Sequence, residues 1–168
     1  MTKSVRIALA MLAAWTWAGG TASAAKVNIP KEGRYAFDFC PVGHGKTLSG
    51  GSNFVLAYEI DAITRSTPPD GPFDRMGARC YGIYKNIQGT PSESGVCEMT
   101  DIDGDKWWMN YQGDAAGKGG AYKAVWGSGK YEGATIQGEY RLDNNWGSPA
   151  KEVAFVGCNP NQGSYKLR

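Results

Sequence analysis

Three aspartates spaced two apart, Asp101, Asp103 and Asp105, make the most metal-like stretch of the chain. A calcium loop that opens this way continues with glycine at its sixth position and a bidentate glutamate at its twelfth. Here those places hold Lys106 and Gln112. Asp103-Gly104 is instead the kind of dipeptide that supplies positive φ to a tight turn between two strands. A hairpin is expected there, and no metal site. Gly127-x-Gly129 fails in a similar way as a phosphate cradle: Lys130 is not followed by Ser or Thr, and no helical pattern follows. His44, the chain's one histidine, lies in Pro-Val-Gly-His-Gly-Lys. It would serve as a general base if that segment, read as a flexible loop, folded over a binding site. No nucleophile-elbow pattern accompanies it, so a Ser-His-Asp triad has no support.

The richer signal is aromatic. Tyr58, Tyr81, Trp107, Trp108, Tyr111, Tyr122, Trp126 and Tyr140 all fall on segments with strand character. If about half of them face inward, the rings and phenols line a cavity for a flat aromatic or lipid-like molecule. Tyr58, Tyr81, Trp107, Tyr122, Trp126 and Tyr140 are the expected ligand contacts. Tyr81, Arg79, Glu59 and His44 are the candidate acid–base groups, should the chain be a cofactor-free isomerase, cyclase or lyase. The competing expectation is that the rings fill a small barrel and leave no pocket, which suits a structural or interaction protein. A cavity above roughly 300 Å³ with convergent polar groups separates these readings.

Those residues need elements to hold them. Glycine is spread throughout, and between the glycines lie short stretches rich in aromatic and β-branched residues. Strands are predicted at 35–40, 54–62, 78–86, 96–102, 106–112, 121–126, 135–142, 152–157 and 164–167. Alternation is clearest at 134–142, where Ile136, Tyr140 and Leu142 share one face against Thr135, Gln137, Glu139 and Arg141. Phe54, Leu56, Tyr58 and Ile60 likewise oppose Val55, Ala57, Glu59 and Asp61. No strand–helix alternation occurs, so a parallel sheet is excluded in favour of a closed antiparallel barrel or a sandwich. The connection 64–75, Thr-Arg-Ser-Thr-Pro-Pro-Asp-Gly-Pro-Phe-Asp-Arg, is long and stiffened by proline. It reads as a functional loop or as a rigid cap over one barrel end.

The first 24 residues read as a signal peptide. Lys3 and Arg6 precede the apolar run Ile7–Ala18, Gly19-Gly20 breaks it, and Ala22-Ser23-Ala24 offers a small-x-small cleavage pattern. Twelve apolar residues are too few to span a bilayer, for which about 20 are needed. The expected mature domain is 25–168, secreted or periplasmic, with no later membrane span. Cleavage removes two of the 18 basic residues and none of the 16 acidic ones, so the mature charge is balanced. Without a basic stripe, nucleic acid is excluded as a partner. No cofactor motif is present.

Export makes disulfides the expected state of Cys40, Cys80, Cys97 and Cys158, which allow three connectivities. No pair is closer than 17 residues, and Cys-x-x-Cys is absent, which excludes the usual metal spacing. Pairing Cys80 with Cys97 and Cys40 with Cys158 is favoured, since barrel closure brings the first and last strands together.

The stretch Trp126–Tyr140, Trp-Gly-Ser-Gly-Lys-Tyr-Glu-Gly-Ala-Thr-Ile-Gln-Gly-Glu-Tyr, resembles the glycine-rich hairpin of the allene oxide cyclase and dirigent barrels. Gly127, Gly129, Gly133 and Gly138 fall near its turn and close-approach positions, and Tyr131 near its aromatic. Residues 64–74, 101–106 and 157–167 also resemble a group of exported bacterial proteins. The resemblance implies an all-β, calycin-like, eight-stranded antiparallel barrel, disulfide-stapled, with a small-molecule cavity. Its relatives include cyclases and proteins that orient phenoxy radicals during coupling. No catalytic residue of the cyclases matches a position here.

Overall fold

The computed structural model describes residues 29–114, 116–143 and 152–168, with backbone only for 152–156. The predicted signal peptide lies outside the described residues. The strands are β1 (Glu32–Gly50), β2 (Asn53–Ser66), β3 (Gly77–Ile87), β4 (Thr90–Thr100), β5 (Lys106–Gly113), β6 (Gly119–Gly127), β7 (Thr135–Arg141), β8 (Glu152–Val156) and β9 (Asn159–Lys166), with one 3₁₀ turn at Gly129–Tyr131. All pair antiparallel, in the order β2-β3-β4-β5-β6-β7-β9-β1, and β1 closes back onto β2. The result is a closed eight-stranded barrel, and closure of this kind removes a route to edge-to-edge aggregation. Strands β8 and β9 keep one register against β1, so together they act as one strand interrupted at residues 157–158.

That interruption is where Cys158 meets Cys40, with Cα atoms 4.0 Å apart. Cys80 and Cys97 are directly opposed on β3 and β4 and are also bonded, at 4.1 Å between Cα atoms. Both expected disulfides are present. β1 is much longer than the predicted 35–40, because its second half pairs with all of the first half of β2. The segment carrying His44 is therefore strand and not loop. The three aspartates form the expected β4–β5 turn, and Gly104 there has φ +86°.

Period-two alternation decides what faces inward. Along β2 the buried set is Leu56, Tyr58, Ile60, Ala62, Thr64 and Ser66. One end of the barrel is packed solid with Met76, Met99, Trp107, Ile136 and Tyr165. The long β2–β3 connection plugs this end. Phe73 is buried and packs edge-on to Tyr35 and Tyr165, with Trp107 also in ring contact. Two buried hydroxyls hold the plug: Thr64 Oγ1 donates to the Phe73 carbonyl and accepts from the Met76 N–H, and Ser66 Oγ accepts from the Gly71 N–H. Of the two readings of this loop, the structure displays the cap.

Candidate functional site: a phenol–carboxylate cluster at the open end

A single rank of inward positions runs around the barrel through mutually paired residues: Tyr58, Gly82, Gly95, Tyr111, Tyr122, Gly138, Gly163 and Tyr35. Tyrosines and glycines alternate in pairs, and the reason is steric. A Cβ on Gly82 or Gly95 would collide with the Tyr111 hydroxyl, and one on Gly138 would lie 2.5 Å from the Tyr35 Oη and 2.6 Å from the Tyr122 Oη. The bare backbone of four strands thus provides the beds on which four phenols lie. Tyr35 and Tyr122 share a hydrogen bond of 2.9 Å, and Tyr58 and Tyr111 one of 2.7 Å.

The next rank toward the open end brings in Glu93 of β4 and Tyr140 of β7. Tyr58 Oη donates to Glu93 Oε1 at 2.5 Å, and Tyr140 Oη donates to Oε2 at 2.6 Å. Tyr58 has one proton and gives it to the carboxylate, so Tyr111 is the donor in the tyrosine pair. Three phenols are thereby organised about one half-buried carboxylate. Burial raises the pKa values of Tyr58 and Tyr140, and the negative charge of Glu93 raises them further. Burial likewise raises Tyr111 and Tyr122 and pushes Tyr35 up to about 12. These phenols stay neutral throughout the physiological range.

A cavity of about 70 Å³ opens beside this cluster. Phe39, Pro41, Ile60, Met109 and Leu142 give it apolar walls, while Tyr58, Tyr122, Tyr140, Glu93 and Asn159 supply polar atoms. Asn159 is 5% exposed and its Oδ1 has no hydrogen-bond partner among the described residues, so the lining presents an unused acceptor. The volume is room for a few waters, well under the roughly 300 Å³ at which ordinary ligand pockets begin. Most of the interior is filled by its own side chains.

Of the expected ligand contacts, Tyr58, Tyr122 and Tyr140 line this cavity, and Trp107 is buried at the plugged end. Tyr81 and Trp126 do not face inward: they are 51% and 52% exposed. Tyr81 follows from alternation, being one residue from inward Cys80. Trp126 is moved by a β-bulge, because Trp108 pairs with Trp126 while the next residue, Met109, pairs with Ala124. Val125 is the extra residue, and it turns Trp126 out beside Trp108. Arg79 and Glu59 also lie outside, in surface contacts: Arg79 with Asp61 at 2.8 Å, and Tyr81 Oη donating to Glu59 at 2.8 Å. His44 points to solvent on β1. None of the four candidate acid–base groups reaches the interior.

Glu93 and Asn159 escaped the sequence reading. The signal for Glu93 was available, since counting back by twos from Cys97 through Gly95 puts it on the inner face. The sequence pattern begins this strand only at residue 96, whereas β4 starts at Thr90. The aspartate turn carries its own counter-charge, with Lys130 Nζ 2.9 Å from Asp101 and 2.6 Å from Asp103. Burial alone would lower the Lys130 pKa, and these two carboxylates more than offset it and raise it. Among the described residues no cluster of metal-ligating side chains occurs.

No protein-family model matches the chain, and no curated protein does. Solved structures do. The pterocarpan synthase dirigent protein PsPTS1 matches with a TM-score of 0.52 at 12% identity, over 84% of this chain and 99% of that one. The chain shares its barrel fold with a dirigent protein. A second pterocarpan synthase dirigent protein, GePTS1, matches at a TM-score of 0.48 and 11% identity, over 84% and 95%. At these identities the likeness concerns the fold alone.

Proposed function

We propose that this protein is an exported barrel that binds, noncovalently, a small one-ring molecule carrying a hydroxyl or similar donor. The observation that carries this reading is the convergence of Tyr58 and Tyr140 on Glu93, with Tyr111 bonded to Tyr58, beside an apolar-walled cavity in which the Asn159 Oδ1 acceptor has no partner among the described residues. Apolar walls with a few fixed polar groups are what orient a small ligand. The cavity limits the ligand to about one ring, smaller than the aromatic or lipid-like molecules the sequence suggested. Two disulfides suit an oxidising compartment, and among the described residues no helix is long and apolar enough to cross a membrane. The dirigent protein PsPTS1, which shares this barrel fold, is a pterocarpan synthase, and that is compatible with a small-molecule ligand.

A second reading, a filled barrel acting as a structural or interaction module, is favoured by the small cavity volume. Thermal-shift and NMR titration with p-cresol, toluene and cyclohexanol separates the two. Binding predicts a concentration-dependent rise in Tm with p-cresol, at least tenfold weaker with toluene, and lost in Asn159→Ala. No response to any of the three at millimolar concentration, with no small molecule in native mass spectra of protein from its own source, leaves the filled barrel.

A further inference from the structure

The outer wall carries a second, larger concavity that the interior site does not use. It measures about 1040 Å³ and crosses the outward faces of β5, β6, β7, β9 and β1. The strand register orders its side chains. One rank runs Asn110, Lys123, Gln137, Ser164, Arg34 across five neighbouring strands. The rank beside it includes Gln112, Glu139 and Gln162. On the other side, two positions along β5 from Asn110, Trp108 pairs with Trp126. These indoles are 43% and 52% exposed, with ring centroids 5.7 Å apart.

The four amides, on Asn110, Gln112, Gln137 and Gln162, are exposed and have no hydrogen-bond partner among the described residues. In each rank two amides stand two or three strands apart, about 10–14 Å at a strand spacing of about 4.8 Å, and both offer donors and acceptors. The charges present are mixed: Arg34 and Lys123 against Glu139. A nucleic acid would want a basic stripe, which is lacking. An added peptide strand would want a free edge, and these strands are paired on both sides. A second copy of the chain would want an interface core depleted in polar groups, and this lining is dominated by them. What remains complementary is an uncharged polymer rich in hydroxyls, with apolar ring faces for the indoles to stack on.

We propose that this outer groove binds a neutral polysaccharide chain, its sugar hydroxyls meeting the amide ranks and a sugar face packing on Trp126 and Trp108. The groove shares part of its floor with the interior, at Tyr111 and Tyr122, but the exposed side chains proposed to bind the polymer are not those of the interior site. Affinity electrophoresis of the intact protein through gels containing mixed-linkage β-glucan, xylan, galactomannan or amylose tests it. At least one polymer retards the protein, and Trp126→Ala and Gln137→Ala each weaken that retardation at least fivefold. Both positions are exposed, and unchanged far-ultraviolet circular dichroism and Tm of the variants show that the fold is kept. Tyr81→Ala, on the outer wall away from the groove, leaves retardation unchanged. No retardation by any of the four polymers overturns the proposal. So does retardation that both groove variants retain, or light scattering that shows an oligomer dissociated by the same substitutions.

Discussion

Glu93 accepts hydrogen bonds from two phenols and lies within a cluster whose every member depends on another. Replacing Tyr58 by Phe removes the donor to Oε1 and the acceptor for Tyr111 together. Leaving two such groups short of partners is expected to cost about 1–3 kcal/mol, measured as the shift in the denaturant midpoint at constant m. The same cluster sets the response to alkali. A phenol whose pKa is higher folded than unfolded stabilises fully below the unfolded value, near 10, and that stabilisation is lost as pH rises toward the folded value. For Tyr35 the window runs from about 10 to about 12. Tyr58, Tyr111, Tyr122 and Tyr140 are shifted in the same direction. Stability should fall by up to about 1.4 kcal/mol per pH unit for each such phenol. Tyrosinate absorbance should therefore appear cooperatively with loss of near-ultraviolet circular dichroism. Gradual ionisation of these phenols in a folded protein contradicts the arrangement.

At the scale of the element, the barrel wall is shaped by residues that lack bulk or break register. Gly95 sits under Tyr111, and a methyl there meets both the Tyr111 ring and the Tyr81 carbonyl. Gly95→Ala is expected to destabilise by about 1–3 kcal/mol, whereas Gly50→Ala, whose Cβ meets nothing, stays near neutral. The bulge at Val125 makes a different prediction. Val125→Ala removes an exposed side chain and should change stability by less than about 0.5 kcal/mol. Deleting Val125 makes Met109–Ala124 and Trp108–Trp126 consecutive pairs of a regular ladder, so Trp126 keeps its outward phase. That variant should still fold, and its tryptophan emission should stay that of exposed indoles; a blue shift on deletion would contradict the bulge assignment.

For the whole molecule, closure and stapling act together. The Cys40–Cys158 bond spans 118 residues and ties the start of the barrel to its end, and the Cys80–Cys97 bond spans 17. In the chain-entropy model the long link is worth about 5 kcal/mol and the short one about 3. Cys40→Ala with Cys158→Ala should thus lower the stability by nearly 5 kcal/mol by chemical denaturation. A loss of less than about 1 kcal/mol would mean that β-pairing alone keeps the two ends together when unfolding begins. The filled end, capped by Phe73, is where a rigid scaffold is anchored, and it leaves the opposite end for a site.

Strand content and antiparallel pairing were legible in the chain, because period-two patterns are local. The inward phase of Tyr58 and the outward phase of Glu59 were legible for the same reason. Barrel or sandwich, and which of three disulfide connectivities, were decided only by the closure that sets Cys40 beside Cys158. Facing was not legible at Trp126, since a one-residue bulge reverses every side chain beyond it and leaves no mark in the pattern. Nor was the site itself. Glu93, Tyr58, Tyr111 and Tyr140 come from four strands, and only the stagger of a closed barrel brings their polar atoms within hydrogen-bonding distance. The sequence by itself determined which residues could line a barrel; the tertiary structure decided which of them converge, and how little space they leave.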